Sequence, residues 1–103
     1  MPTAYITAPP DAAADLAAGL VEERLAACVN RVPCESTYRW EGEVHHDAEV
    51  VLFAKTTAGA YGRLVSYVRE HHPHEVPCIE RLEEDHVDRP FLEWRNDVVD
   101  DRD

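Results

Sequence analysis

A histidine-rich segment from His71 to Cys78 carries the side chains of this chain that are best suited to chemistry. Its eight residues include three imidazoles, one carboxylate and one thiol, together with two prolines that stiffen the backbone. Imidazole and thiolate are ligands that zinc and copper prefer. The segment therefore predicts a site for divalent metal ions in which His71, His72 and His74 are the candidate ligands.

The spacing of these histidines leaves a second interpretation open. Adjacent residues on a helix point about 100° apart, so His71 and His72 cannot both chelate one ion unless the helix unwinds near Pro73. Histidines near the C-terminus of a helix also satisfy the last carbonyl groups and the helix dipole without any metal. We therefore expect Cu²⁺ or Zn²⁺ to be bound only weakly.

The chain does not show the residue patterns of the common enzyme classes. Its four glycines are dispersed, so it has no glycine-rich phosphate loop, and it has no nucleophile elbow. A hydrolase built on Ser36 or Cys34 would need a base and an orienting acid that the sequence does not assign. His45 and His46 are neighbours on a predicted strand, where they make two separate sites at best. We expect a protein without enzymatic activity.

One long β-hairpin, from Val29 to Lys55, is the element around which the chain is organised. Both arms are rich in strand-forming residues, and Gly42 supplies the positive φ that a tight two-residue turn requires. Counting outward from the turn pairs Trp40 with Glu43, Tyr38 with His45 and Val32 with Val51.

This hairpin is long for a domain of this size. An arm of twelve residues spans about 40 Å, whereas a compact domain of about 100 residues has a radius of gyration near 13 Å. The return arm is apolar at every position from Val50 to Ala54, and a strand that is apolar on both faces is buried on both faces. We expect another copy of the chain to cover the hairpin, and the alternative is that Pro33 bends it back over its own domain.

The other elements complete one α+β domain over residues 1–103. The predicted elements are a strand from Thr3 to Ala8, a helix after Pro10, a helix capped by Thr56 and Thr57 that ends at His71-His72-Pro73, a strand from Pro77 to Leu82 and a helix from Pro90. In the last helix we expect Phe91, Trp94 and Val98 to face inward. The order β-α-β-β-α-β plus a C-terminal helix predicts a ferredoxin-like sandwich with both central helices on one face of the sheet.

The charge balance excludes several classes of partner. The 103 residues include 21 acidic and 10 basic ones, for a net charge of −11, and such a surface repels nucleic acid and anionic membranes. The acidic residues are spread over every segment, which favours the halophile-like adaptation of a surface to a salt-rich cytoplasm over a focused cation site.

No signal pattern and no membrane-spanning apolar run is present, so we expect a cytoplasmic protein. Cys28, Cys34 and Cys78 form no CxxC pair and are interpreted as small buried hydrophobes.

Several motifs, in order along nearly the whole chain, resemble the CutA family of divalent-cation tolerance proteins. These motifs are Thr7-Ala8-Pro9, Leu25-Ala26-Ala27-Cys28-Val29-Asn30, Ser36-Thr37-Tyr38-Arg39-Trp40-Glu41-Gly42, Lys55-Thr56, His71-His72-Pro73, Val76-Pro77 and Phe91-Leu92-Glu93-Trp94. The resemblance implies a ferredoxin-like subunit, similar in design to the nitrogen-regulatory PII proteins, that assembles as a homotrimer through its long hairpin and its last strand. It also implies a non-enzymatic role linked to copper and other divalent cations. The alternative is a PII-like scaffold or regulator that binds a small molecule or a protein.

The resemblance also bears on the metal ligands. The proposed ligands of the family include a cysteine just before the Thr-Ala-Pro motif and the two histidines before the later proline. The histidines match His71 and His72, but the cysteine position is Ile6, which cannot coordinate a metal. The tyrosine that is common after the His-Pro pair is His74 here, which could supply a replacement ligand.

Overall fold

A computed structural model of the protein describes residues 1–100 as four strands and three helices. The elements are β1 (Pro2–Ala8), α1 (Pro10–Glu22), β2 (Cys28–Trp40), β3 (Glu43–Lys55), α2 (Tyr61–His71), β4 (Ile79–Glu83) and α3 (Arg89–Val98). The strands form one antiparallel sheet in the order β2-β3-β1-β4, which confirms the predicted ferredoxin-like topology. Residues 101–103, the end of the predicted domain, lie outside the described residues. None of the helices described is long and apolar enough to cross a membrane.

The core lies between the sheet and the helices α1 and α2. Alternate residues of β1 and β3, among them Ile6 and Leu52, point to this side and are fully buried. They pack against Leu16 and Leu20 of α1 and Leu64 of α2, which recur at helical spacing. Both helices therefore cover the same face of the sheet, as predicted.

The long hairpin has the predicted register. Trp40 pairs with Glu43, Tyr38 with His45 and Val32 with Val51. Glu41 and Gly42 both have positive φ, 51° and 80°, as a type I′ turn requires. This turn matches the twist of the flanking strands, so the turn type and the pairing are consistent with each other.

The hairpin extends well beyond the core. The molecule measures 44 × 25 × 20 Å, and β2 and β3 have 13 residues each. Pro33 pairs with Val50 within a continuous ladder, so it does not interrupt β2. The hairpin exposes the apolar side chains of Val32, Trp40 and Val44 to solvent.

The prediction for the last helix was wrong in one respect. Phe91 and Trp94 are 39% and 44% exposed, whereas Arg95 is 1% exposed and points inward. The Arg95 guanidinium donates hydrogen bonds to the carbonyl oxygen of Pro2 at 3.2 Å and to Glu84 Oε1 at 3.1 Å. The inner side of α3 meets the start of β1 and the end of β4, where these oxygens need donors, so a cation fits there better than an aromatic ring.

Candidate functional site

The predicted metal-binding segment begins where α2 ends. His71 is the last residue of the helix, and His72 is already extended, with φ −79° and ψ 138°. The cause is Pro73, because a proline disfavours helical geometry in the residue before it. The two neighbouring imidazoles therefore leave the helix end in different directions.

His72 is a buried structural residue in this geometry. Its side chain is 8% exposed, and both of its ring nitrogens are used. Nε2 donates to the carbonyl oxygen of Thr7 at 2.8 Å, and Nδ1 accepts a hydrogen bond from the backbone N–H of His74 at 3.0 Å. Because a carbonyl oxygen can only accept, the proton is on Nε2 and the Nδ1 lone pair is occupied. Burial lowers the pKa of His72, and the hydrogen bond to Thr7 opposes this effect.

His71 has the opposite surroundings. Its exposed ring stacks on Tyr67, with 4.0 Å between the ring centroids. Nδ1 lies 2.8 Å from the carbonyl oxygen of Tyr67, to which it donates, so the Nε2 lone pair is available. The ring borders a cavity of about 430 Å³ between α1 and α2, which Asp11 and Asp15 also line. His71 therefore keeps one ring nitrogen free of hydrogen bonds and available to a cation, whereas both ring nitrogens of His72 are occupied.

Tyr67 reaches this position because α1 has a glycine beneath it. A Cβ atom on Gly19 would lie 1.8 Å from the Tyr67 hydroxyl oxygen and 2.7 Å from the ring. No side chain at position 19 is compatible with this placement of the ring. Gly19 thus allows the stacked pair of Tyr67 and His71 to lie in the crevice between the helices.

His74 lies between two further cavities. Its ring is tilted against that of His72 with 5.0 Å between centroids. One cavity, of about 210 Å³, is lined by Pro9, Asp47, Ala48, Glu49 and His74. The other, of about 240 Å³, is lined by Tyr38, Trp40, Pro73, His74, Glu75 and Val76. His71 and His74 therefore border different cavities, and His72 lines neither of them.

The structure does not assemble these residues into a preformed chelate. Among residues 1–100, no group of three His, Cys, Asp or Glu side chains is placed to hold a metal ion. Ile6, at the position where the resemblance implies a cysteine ligand, is fully buried under the helices. Cys78 is exposed beside Glu80, and partial burial of its thiol raises the pKa of Cys78, which disfavours the thiolate that metals bind.

Sequence reasoning missed one residue that is unusual in the structure. Glu49 of β3 is only 8% exposed, although carboxylates are rarely buried unless they are paired. The hairpin register would have identified it, because counting from the turn places Glu49 opposite Cys34 and on the same side of β3 as the buried Val51.

Comparisons with known proteins all point to one protein family over nearly the whole chain. The family model described as CutA1 divalent ion tolerance protein matches residues 3–98. A CutA homologue from Xenopus laevis is 44% identical over 98 residues, which are 93% of this chain and 65% of the Xenopus protein. The solved structure of a divalent cation tolerance protein from Thermus thermophilus has a TM-score of 0.91 at 43% identity, over 97% of this chain and 100% of that one. A PII-like CutA from Nostoc has a TM-score of 0.88 at 36% identity, over 92% of this chain and 93% of that one.

Proposed function

The chain belongs to the CutA1 divalent ion tolerance family, and on this premise we propose that it is a homotrimer that binds Cu²⁺ or Zn²⁺ weakly and without catalysis. The observation that carries the metal assignment is the orientation of His71. Its Nδ1 is held by the carbonyl oxygen of Tyr67, and its Nε2 lies open beside the cavity that Asp11 and Asp15 line.

This arrangement suits a divalent cation but limits its affinity. Imidazole nitrogen and carboxylate oxygen are both ligands for zinc, and imidazole also suits copper. A structural zinc site normally has four protein ligands, whereas this cavity offers one imidazole and two exposed carboxylates. His72 is not available, because the hydrogen bond from His74 occupies its lone pair. We therefore assign the metal contact to His71 and a structural role to His72.

The exposed apolar surface of the hairpin supports the trimer. Val32, Trp40 and Val44 are exposed in the single chain, and β2 and β4 form the two edges of its sheet. Exposed apolar strands with unpaired backbone groups are typical of surfaces that meet another chain. Light scattering at micromolar protein and moderate salt is expected to give three times the mass of one chain. A monomer mass would remove this part of the proposal.

The metal assignment is tested by titrating the protein with Zn²⁺ and Cu²⁺ in a calorimeter near neutral pH. We expect His71→Ala to weaken binding at least about tenfold, since the only imidazole of the cavity is lost. The matched control is His86→Ala, which removes an exposed imidazole from the connection between β4 and α3. Acidification should also weaken binding, because protons compete with the metal for imidazole. Equal affinity in the parent and in His71→Ala would place the metal elsewhere.

A second candidate function is that of a PII-like scaffold or regulator with a small-molecule ligand. The two cavities beside His74 favour it, because neither is needed for the metal contact at His71. If the parent binds neither metal even at millimolar concentration, this second function replaces the first.

A further inference from the structure

Tyr67 contacts the His71 imidazole in two ways. The two residues are four positions apart in α2, so their side chains lie on the same face of the helix. The Tyr67 ring stacks on the imidazole, with 4.0 Å between the ring centroids and 20° between the ring planes. The carbonyl oxygen of Tyr67 accepts the Nδ1 proton of His71 at 2.8 Å. Together these contacts determine the plane of the imidazole and the nitrogen that carries its proton.

The Tyr67 ring is itself held by the neighbouring helix. Its hydroxyl end lies over Gly19 of α1, where a Cβ atom would be only 2.7 Å from the ring carbon that bears the hydroxyl. The ring is half-buried in the crevice between α1 and α2, whereas the imidazole stacked on it is exposed. An exposed side chain normally samples several rotamers. Stacking on a ring of fixed position restricts the imidazole to the orientation in which Nε2 lies beside the cavity.

The Tyr67 phenol is suited to orienting a metal ligand but not to being one. Burial raises the pKa of Tyr67, and the carboxylates of Glu23, Glu22 and Glu70 raise it further. The hydroxyl therefore keeps its proton near neutral pH, and it does not supply the anionic oxygen that a metal ion would bind. The contribution of Tyr67 to a metal contact comes from its ring and its carbonyl oxygen.

We propose that Tyr67 is the positioning residue of the cation contact at His71, an inference that rests on the proposed metal function. Histidines that bind metals usually donate their other ring N–H to a carbonyl or carboxylate oxygen, as His71 does. Ordering a mobile side chain on binding costs affinity. The stack orders the imidazole before the metal arrives, so its loss is expected to weaken binding about twofold to tenfold.

Calorimetric titration of Tyr67→Leu with Zn²⁺ near neutral pH tests the proposal. We expect the dissociation constant to rise about twofold to tenfold, because leucine fills the crevice without offering a flat ring to the imidazole. Tyr67→Phe keeps the ring and is expected to bind like the parent. The matched control is Tyr61→Leu, which removes another half-buried tyrosine ring at the first residue of the same helix. This control should also bind like the parent.

Side-chain NMR separates positioning from a general loss of structure. In the metal-free parent and in Tyr67→Phe, we expect the neutral His71 ring to carry its proton on Nδ1. In Tyr67→Leu the ring should leave the carbonyl oxygen part of the time and exchange the proton between its two nitrogens. The His71 nitrogen signals should then move towards averaged values, while those of His72 stay unchanged, because its contacts do not involve Tyr67.

The possible failures of the two proposals differ. Full Zn²⁺ affinity in Tyr67→Leu, together with lost binding in His71→Ala, would overturn the positioning role and leave the metal function in place. Full affinity in His71→Ala would remove the metal function, and the positioning role with it. Equal weakening in Tyr67→Phe or in Tyr61→Leu would also overturn the proposal, since the stack would not be the cause. The same holds if the His71 signals of Tyr67→Leu match those of the parent.

Discussion

Replacing His72 by alanine tests the structural role of this residue against a role as metal ligand. The substitution removes two hydrogen bonds, of 2.8 Å to the Thr7 carbonyl and of 3.0 Å from the His74 N–H. A hydrogen bond contributes about 1 kcal/mol net to stability. The Thr7 oxygen and the His74 N–H also lose their partner, and the buried ring leaves a cavity. We expect the free energy of unfolding to fall by about 2–4 kcal/mol.

The neighbouring His71→Ala is the matched control. Its ring is exposed and stacks on Tyr67, so the loss is expected to be about 0.5 kcal/mol. Urea unfolding of both variants in metal-free buffer at neutral pH measures the difference. The protein concentration must be the same in all samples, since an oligomer is stabilised by mass action. In a domain of about 100 residues, a loss of 2 kcal/mol lowers the melting temperature by about 8–16 °C.

Two results would refute this reasoning. If both variants lose the same stability, the contacts of His72 with Thr7 and His74 do not hold the segment in place. If His72→Ala unfolds like the parent but loses metal binding, His72 is a ligand and not a structural residue.

Three further predictions concern stability. Raising the potassium chloride concentration from low to molar is expected to raise the melting temperature, because salt screens the repulsion within a chain of net charge −11. A melting temperature that stays constant or falls with added salt would contradict this prediction. Gly19→Ala should lower the free energy of unfolding by about 1–3 kcal/mol in urea, because the new Cβ atom would clash with Tyr67. Since alanine is the better helix former, the same change should stabilise the protein when Tyr67 is also replaced by alanine. Burial raises the pKa of Glu84, but hydrogen bonds from Thr3 and Arg95 outweigh this effect and hold the pKa below its ordinary value. Glu84 therefore adds stability above the ordinary carboxyl pKa of about 4.3 that is lost on acidification, and Glu84→Gln should flatten the acid side of a pH series of melting temperatures.

The elements and their pairing could be predicted from local signals. Gly42 and the strand formers around it determine the turn, and the turn determines the register of the hairpin. The aromatic spacing of α3 also predicted a helix, but periodicity shows only that Phe91 and Trp94 share a stripe. It does not show that the stripe faces outward while Arg95 contacts oxygens of Pro2 and Glu84, because tertiary packing decides this.

The sequence predicted which segment carries the candidate metal ligands, but not how their side chains are arranged. The residue types around His71 indicate metal chemistry, yet the partner of the His72 ring is the Thr7 carbonyl, 65 residues away along the chain. A sequence read locally cannot tell that the two adjacent imidazoles have different surroundings. Glu49 and His74 line one cavity in the same way, although they are far apart in sequence and only the folded chain brings them together.

The most direct test of the central claim is an NMR titration of the histidine side chains with Zn²⁺. Two-bond ¹H–¹⁵N correlations report the protonation and metal binding of each ring nitrogen in the ¹⁵N-labelled protein. We predict that the Nε2 signal of His71 moves as metal is added, while His72 keeps its proton on Nε2 throughout. The claim is contradicted if the signals of His72 change to those of a metal-bound ring, or if no imidazole signal moves at millimolar Zn²⁺.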